Sequence, residues 1–255
     1  MVTRMSRPAE LLAGCEPRRL LQHCRFGSRP VHAENETTPG GGGPRPVSAQ
    51  REASFGEGYS PTVVDRFGVW LSARQIRRWV PSFAGKRIAD LGCGYHAAFT
   101  RTVLGEVDDA LLVDVSIAPD LKAHPKVKVI EGGLPQSLAG LPDASLDVVM
   151  IVSVLEHLWE PQRTLQEIRR LLRPGGTCLV NVPSWRGKWF LELSAFKLGL
   201  SPAAEMDDHK MYYDVTDLWP VLVRAGFLPS EIKCFSHKFG LNTFAACRLK
   251  GRPPS

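Results

Sequence analysis

The chain has 255 residues, 44% hydrophobic and 23% charged, a globular composition that excludes wholesale disorder and allows one generous domain or two small ones. No run approaches the roughly 18 apolar residues that a membrane-spanning helix requires. The formal charge is +6, but residues 1–51 hold eight arginines against four glutamates, so most of the excess belongs to the N-terminal segment. A nucleic-acid-binding body, which needs its basic charge on the folded surface, is not expected.

Residues 1–55 read as an extension outside the fold, either disordered or preceding the true start. Pro39-Gly40-Gly41-Gly42-Gly43-Pro44 loses much backbone entropy on ordering and buries nothing in return. Leu11, Leu12, Leu20 and Leu21 with Arg18, Arg19 and Arg25 could form a short amphipathic helix; its arginines suggest a transit peptide, while Glu10, Glu16 and Pro17 oppose that reading. The six cysteines include no C-x-x-C pair. Buried thiols in a reducing compartment, hence a cytoplasmic location, are expected rather than a disulfide framework.

The folded domain is placed at residues 56–255. Val64, Phe67, Trp70, Leu71, Ile76 and Trp79 recur at helical spacing and predict an amphipathic helix with an inward apolar face. After Pro81, short apolar runs alternate with helical stretches: 87–91, 110–115, 127–131, 146–154 and 177–182. The run Asp147-Val148-Val149-Met150-Ile151-Val152 has no polar alternation, as expected of a strand covered on both faces. A helix from Glu160-Pro161 presents Leu165, Ile168, Leu171 and Leu172, carries Arg169, Arg170 and Arg173 at its negative end, and is stopped by Pro174-Gly175-Gly176. A later helix, capped by Asp214 or Thr216, ends near Gly226. Two final strands, 230–237 and 243–249, have a link too short for a helical crossover and must pair antiparallel. The expected fold is α/β: a doubly wound, mostly parallel seven-stranded sheet, Rossmann-like, with a C-terminal antiparallel hairpin.

Such sheets bind ligands beyond the carboxyl ends of their strands, where the strand order reverses. The first strand ends in Ile88-Ala89-Asp90-Leu91-Gly92-Cys93-Gly94-Tyr95-His96-Ala97. Gly92 and Gly94 permit a tight turn and a close backbone approach. Asp114, 22 residues beyond Gly92, ends the next strand, where a carboxylate can accept ribose hydroxyls. Gly92-x-Gly94-x-x-Ala97 alone also permits a dinucleotide, so a nicotinamide-dependent oxidoreductase stays open here. Asp90 weighs against it. At about 6 Å and an effective dielectric near 20, each charge pair is worth roughly 2–3 kcal/mol, repulsive toward a pyrophosphate and attractive toward a cationic cofactor.

With Asp114, Ser145-Leu146-Asp147-Val148-Val149, Val154-Leu155-Glu156-His157-Leu158, Glu167–Gly176 and Asn181-Val182-Pro183, the first-strand motif resembles, in the same order, the class I S-adenosylmethionine-dependent methyltransferases of the type 11 kind, over about residues 80–250. The resemblance implies S-adenosylmethionine as cofactor, with Asp90, Gly92, Cys93 and Gly94 at its methionine part, Asp114 at the ribose, Val115, Gly133 and Leu134 at the adenine, and Ser153 near the methionine end. His96 stands where the family usually has a third glycine, and Gly133 where it usually has an acid. These two departures leave a catalytically inactive scaffold open as a third reading.

Residues 184–214 form an insertion expected to supply the acceptor pocket. Trp185, Trp189, Tyr212 and Tyr213 are its candidate acceptor contacts; Trp189, Leu193 and Phe196 share one helical face and can equally be a packed lid. Glu205, Asp207, Asp208 and His209 lack the spacing of a zinc or calcium site, so no metal is expected. For a hydroxyl acceptor, His157 and then His209 are the candidate general bases, although the Glu156-His157 pair can also be structural. The expected acceptor is a hydroxyl or carboxylate of a small molecule, sugar or lipid precursor.

Overall fold

The structure is a computed structural model that describes residues 53–58, 62–189 and 209–251. These belong to a unit spanning Ser48–Ser255. Helix α1 (Val63–Trp79) leads into β1 (Arg87–Leu91), α2 (Ala98–Arg101), β2 (Asp109–Asp114), α3 (Pro119–Lys122), β3 (Val127–Glu131), β4 (Leu146–Val152), α4 (Pro161–Leu171) and β5 (Leu172–Pro183). Residues 185–189 are helical. Then come α5 (Val215–Arg224), β6 (Ile232–His237) and β7 (Asn242–Arg248). The Leu193–Phe196 face and the Glu205–Asp208 cluster lie outside the described residues.

The seven strands form one sheet in the order β3-β2-β1-β4-β5-β7-β6. All pairs from β3 to β5 are parallel, and β7 is antiparallel to both β5 and β6. Chain order reverses between β1 and β4, so the crevice outside these two strands is the topological switch point. Strand β4 is buried from Leu146 to Ile151, as its unbroken apolar run requires. One face of the sheet carries a core of Leu91, Val149, Ile151, Leu165, Ile168 and Phe227 among others. The opposite face carries Ile76, Phe83, Ile88, Leu112, Met150 and Phe244.

Two helix ends follow from local chemistry. Thr62 and Asp65 form a reciprocal capping box at α1, and Asp214 and Asp217 form one at α5. Helix α4 turns Thr164, Leu165, Ile168 and Leu171 inward. Its Arg170 leaves the apolar face to bond the carbonyls of Leu138 and Leu141 at 2.9 and 2.7 Å, tying down the loop before β4.

Two sequence expectations change. Helix α1 is amphipathic in composition, but only Ser72 and Ile76 are buried. Val64, Phe67, Trp70 and Trp79, expected inward, are exposed. The helix crosses the sheet on a narrow seam: Ser72 Oγ accepts from Asn181 Nδ2 of β5 at 3.3 Å, and Trp79 stacks on Phe235 of β6 at 6.2 Å. Val63, Val64, Phe67 and Trp70 of its first turns are exposed. The boundary at residue 55 also falls inside the body's own contacts, because Ser54 and Phe55 bond to the loops after β1 and β2.

Candidate functional site

The site assembles where β1, β2 and β4 end. Gly92 and Gly94 have φ of +69° and +72°, so the turn after β1 uses the left-handed region that glycine enters without steric cost. The Gly92 amide donates to the Val113 carbonyl at 2.7 Å, folding the turn back onto β2. A Cβ on Gly92 would stand 2.1 Å from Val154 Cγ2 of the chain leaving β4. Close approach of two loops, as well as conformation, therefore requires glycine here.

Asp114 is the hub. Its Oδ2 accepts from the Gly94 amide and its Oδ1 from the Val115 amide, each at 2.8 Å. Ser54 Oγ also lies against Oδ1. The same hydroxyl oxygen accepts from the Ser116 amide at 2.9 Å and faces the Ser116 carbonyl at 2.6 Å, so its one proton serves one oxygen at a time. Glu57 closes the strap, accepting from the Ser116 hydroxyl at 3.0 Å and the Ser54 amide at 3.1 Å. Phe55 O accepts from the Tyr95 amide at 2.9 Å. Asp114 thus already acts as the acceptor of a hydroxyl, the chemistry by which a ribose would be held.

Asp90 is 7% exposed, and Thr100 of α2 donates to its Oδ2 at 2.7 Å. Burial pushes its carboxyl up to about 6, against the pull of the Thr100 hydroxyl and with a smaller push from Asp114. A buried carboxylate this reluctant to ionise is suited to a cationic partner, which would remove the penalty. Burial also raises the Cys93 thiol, helped by the Asp90 and Asp114 carboxylates, so it is no thiolate at neutral pH.

After β3, the Gly132 amide donates to the Asp114 carbonyl at 2.9 Å, and Gly133 O accepts both the amide and hydroxyl of Ser137. Gly133 is therefore held by its carbonyl, with Leu134 packed on the core beside it. After β4, Ser153 is exposed with φ of +56°, and its amide donates to the Asn181 carbonyl at 2.7 Å.

The acceptor side brings together residues that are distant in sequence. The rings of His157 and His209 lie 4.7 Å apart. His209 Nδ1 and Tyr212 Oη are 2.9 Å apart, and Trp185 lies 5.5 Å from the Tyr212 ring. Amides of Lys210 and Met211 donate to the Glu156 carbonyl, pinning this segment beside the turn after β4. Trp185 is anchored through Nε1 to Asp217 at 3.1 Å, whereas Trp189 is 67% exposed. Tyr212 and Tyr213 are both buried, at 5% and 3% exposed; Tyr213 packs in the core, where burial and then Glu156 and Asp217 push its hydroxyl up to about 12.

Glu156, His157 and His209 have donor atoms within 4.8 Å of one another, a grouping the sequence did not disclose because it depends on the fold of residues 209–213. Nor did the sequence mark Ser54 and Thr100 as partners of the two aspartates, since a serine or threonine inside an ordinary segment carries no spacing signal.

Residues 89–180 match the family described as Methyltransferase domain. A protein of Mycolicibacterium smegmatis, named a probable S-adenosylmethionine-dependent methyltransferase, is 36% identical over 45% of this chain and 46% of its own length. A ubiquinone biosynthesis O-methyltransferase of Paraburkholderia phymatum is 25% identical over 67% of this chain and 83% of its own. The chain spans about half the length of the mycobacterial relatives it matches, 46% and 56%. Among solved structures, a SAM-dependent methyltransferase from Archaeoglobus fulgidus shares the fold with a TM-score of 0.51, covering 70% of this chain and 93% of that one at 18% identity. Residues 89–180 thus match a methyltransferase domain, and the strand order with its antiparallel β7 is the fold shared with the S-adenosylmethionine-dependent methyltransferase of Archaeoglobus fulgidus.

Proposed function

We propose that the protein transfers the methyl group of S-adenosylmethionine to a hydroxyl or carboxylate of a small molecule, sugar or lipid precursor. When bound, the cofactor supplies a sulfonium methyl that is already a strong electrophile. The remaining work for the chain is alignment, exclusion of water and, for a hydroxyl, removal of a proton. In this reading Asp90, Gly92, Cys93 and Gly94 hold the methionine part, Asp114 the ribose, Val115, Gly133 and Leu134 the adenine, and Ser153 borders the methyl end. Trp185, Trp189 and Tyr212 form the acceptor wall, with Tyr213 supporting them from the core.

The observation that carries the acceptor assignment is the His157–His209 pair at the end of β4. Two imidazoles from separate segments, one aligned by a tyrosine hydroxyl, suit proton removal from an oxygen acceptor. The name of the O-methyltransferase relative points to the same acceptor atom. His157→Ala and His209→Ala are each expected to lower kcat by about 10²–10⁴-fold while calorimetry shows unchanged S-adenosylhomocysteine affinity. Labelled product from fractionated metabolites separates the acceptors, because a methyl ester is lost in mild base and a methyl ether is not. Undiminished turnover in both variants would remove the imidazoles from the reaction.

A further inference from the structure

The apolar residues that α1 leaves uncovered form part of a larger surface. Val63 is 81% exposed and Phe67 and Trp70 are each 52% exposed, on the N-terminal half of α1. That half passes the loop between β6 and β7, where Lys238 Nζ reaches within 3.7 Å of the position a Cβ on Gly68 would occupy. The loop presents Phe239, 84% exposed and with φ of +60°. On the loop's other side lies the helix of residues 185–189, with Arg186 Nη1 3.4 Å from where a Cβ on Gly240 would stand and Trp189 67% exposed. The pairings Pro183↔Asn242 and His237↔Asn242 put the ends of β5 and β6 on one edge of the sheet, the edge that carries the acceptor side.

The charge around these aromatics is positive. Arg66, Arg74 and Arg186 are exposed, and the Arg74 guanidinium sits 5.9 Å from the Trp70 ring centroid. The one acid of α1, Asp65, is turned back on Thr62 in the capping box. Exposed aromatics interleaved with arginines on a surface helix match the requirements of an anionic bilayer interface, where apolar side chains enter the acyl boundary and arginines meet headgroup phosphates. Uncovered apolar area this concentrated is unusual for a surface that faces only water. Among the described residues no helix is long and apolar enough to cross a membrane, so the surface can dock on a bilayer without spanning it.

We propose that the acceptor-side edge, formed by the N-terminal half of α1, the Phe239 loop and the helix of residues 185–189, docks on an anionic lipid surface. This places the methyl-acceptor side of the domain toward the bilayer, and the docking itself does not depend on methyl transfer.

The test is sedimentation of the full chain with vesicles of pure phosphatidylcholine and of phosphatidylcholine with a quarter phosphatidylglycerol. Binding is expected to the anionic vesicles, at least tenfold weaker to the neutral ones and weaker in 0.5 M salt. Phe67→Ser with Trp70→Ser, and separately Phe239→Ser, should reduce it at least tenfold; the residues are exposed, so melting temperature and cofactor affinity should hold. Arg66→Glu with Arg74→Glu should abolish the preference for anionic lipid. No vesicle binding by the wild-type chain, equal binding by the aromatic variants, or a stable dimer in light scattering that these substitutions dissociate would each overturn the proposal; the last would assign the surface to a second copy of the chain.

Discussion

Ser54 and Asp114 show how one side chain can prepare and obstruct a site together. The serine hydroxyl lies against an oxygen of the Asp114 carboxylate; if that carboxylate holds the ribose, as proposed above, the nucleoside would share or displace it. A net hydrogen bond is worth about 0.5–1.5 kcal/mol, and Ser54→Ala is accordingly expected to tighten S-adenosylhomocysteine binding about two- to tenfold in calorimetry. Asp114→Ala should abolish binding. Weaker binding by Ser54→Ala would instead make the strap a cover that the nucleoside needs. The placement of Asp90 and Asp114 at the ends of β1 and β2 was legible in the sequence because each closes an apolar run, Asp90 beside a glycine turn. Ser54 was not, because its partner lies 60 residues away and the flanking composition reads as linker. The different surroundings of Tyr212 and Tyr213 were not legible for a related reason: both are buried, at 5% and 3% exposed, but adjacent side chains of an extended segment point to opposite sides, and only packing decides that Tyr212 meets His209 and Trp185 while Tyr213 enters the core.

At the level of elements, alternation of apolar runs with helical stretches set the strand positions closely, and the short link before β7 set its direction. Covered strands and capped helices announce themselves because burial and unsatisfied backbone groups constrain composition. The exposure of α1 was not legible, since periodicity gives the direction of an apolar face and not whether anything stands opposite it. The contact between the β1 turn and the chain leaving β4 offers a sharper test. Gly92→Ala would combine a left-handed φ with a Cβ 2.1 Å from Val154 Cγ2. Together these should destabilise the domain by about 1–3 kcal/mol and weaken cofactor binding. Adding Val154→Ala removes the clash but not the conformational strain, so the double variant should recover part of the loss in urea unfolding. Full recovery would show that φ contributes nothing; none would place the damage elsewhere in the turn.

For the whole molecule, buried Asp90 and half-buried Lys238, with shifts in opposite directions, shape stability against pH. Asp90 rises from 3.8 to about 6 through burial. Between those values the folded state holds a proton that the unfolded chain has released, so stability falls as pH rises from about 4 to 6, and the penalty persists above. Lys238 falls from 10.5 to about 8 through burial, opposed by the attraction of Glu156. Here the unfolded chain holds the extra proton, so stability rises as pH increases from about 8. The thiols of buried Cys178 and Cys247 and of half-buried Cys93 and Cys234, raised above 9.0 mainly by desolvation, reverse that gain beyond pH 9. The ligand-free protein should therefore melt lowest between about pH 6 and 8, with a shoulder near pH 5 before the exposed pairs of Glu106, Asp120 and Glu131, whose carboxyls are lowered by Arg77, Arg101 and Lys122, are lost in stronger acid. A shift of about two pH units corresponds to roughly 3 kcal/mol at full burial, enough to see by calorimetry. Asp90→Asn keeps the Thr100 bond and removes the charge, so it should raise the melting temperature at pH 7.5, flatten the limb between pH 4 and 6, and weaken S-adenosylmethionine at least tenfold. In the wild-type chain the cationic cofactor should stabilise more at pH 7.5 than at pH 5, because only the ionised carboxylate attracts it. An equal thermal shift at both values would mean that Asp90 stays ionised throughout or lies apart from the ammonium, and would separate its burial from any role in binding.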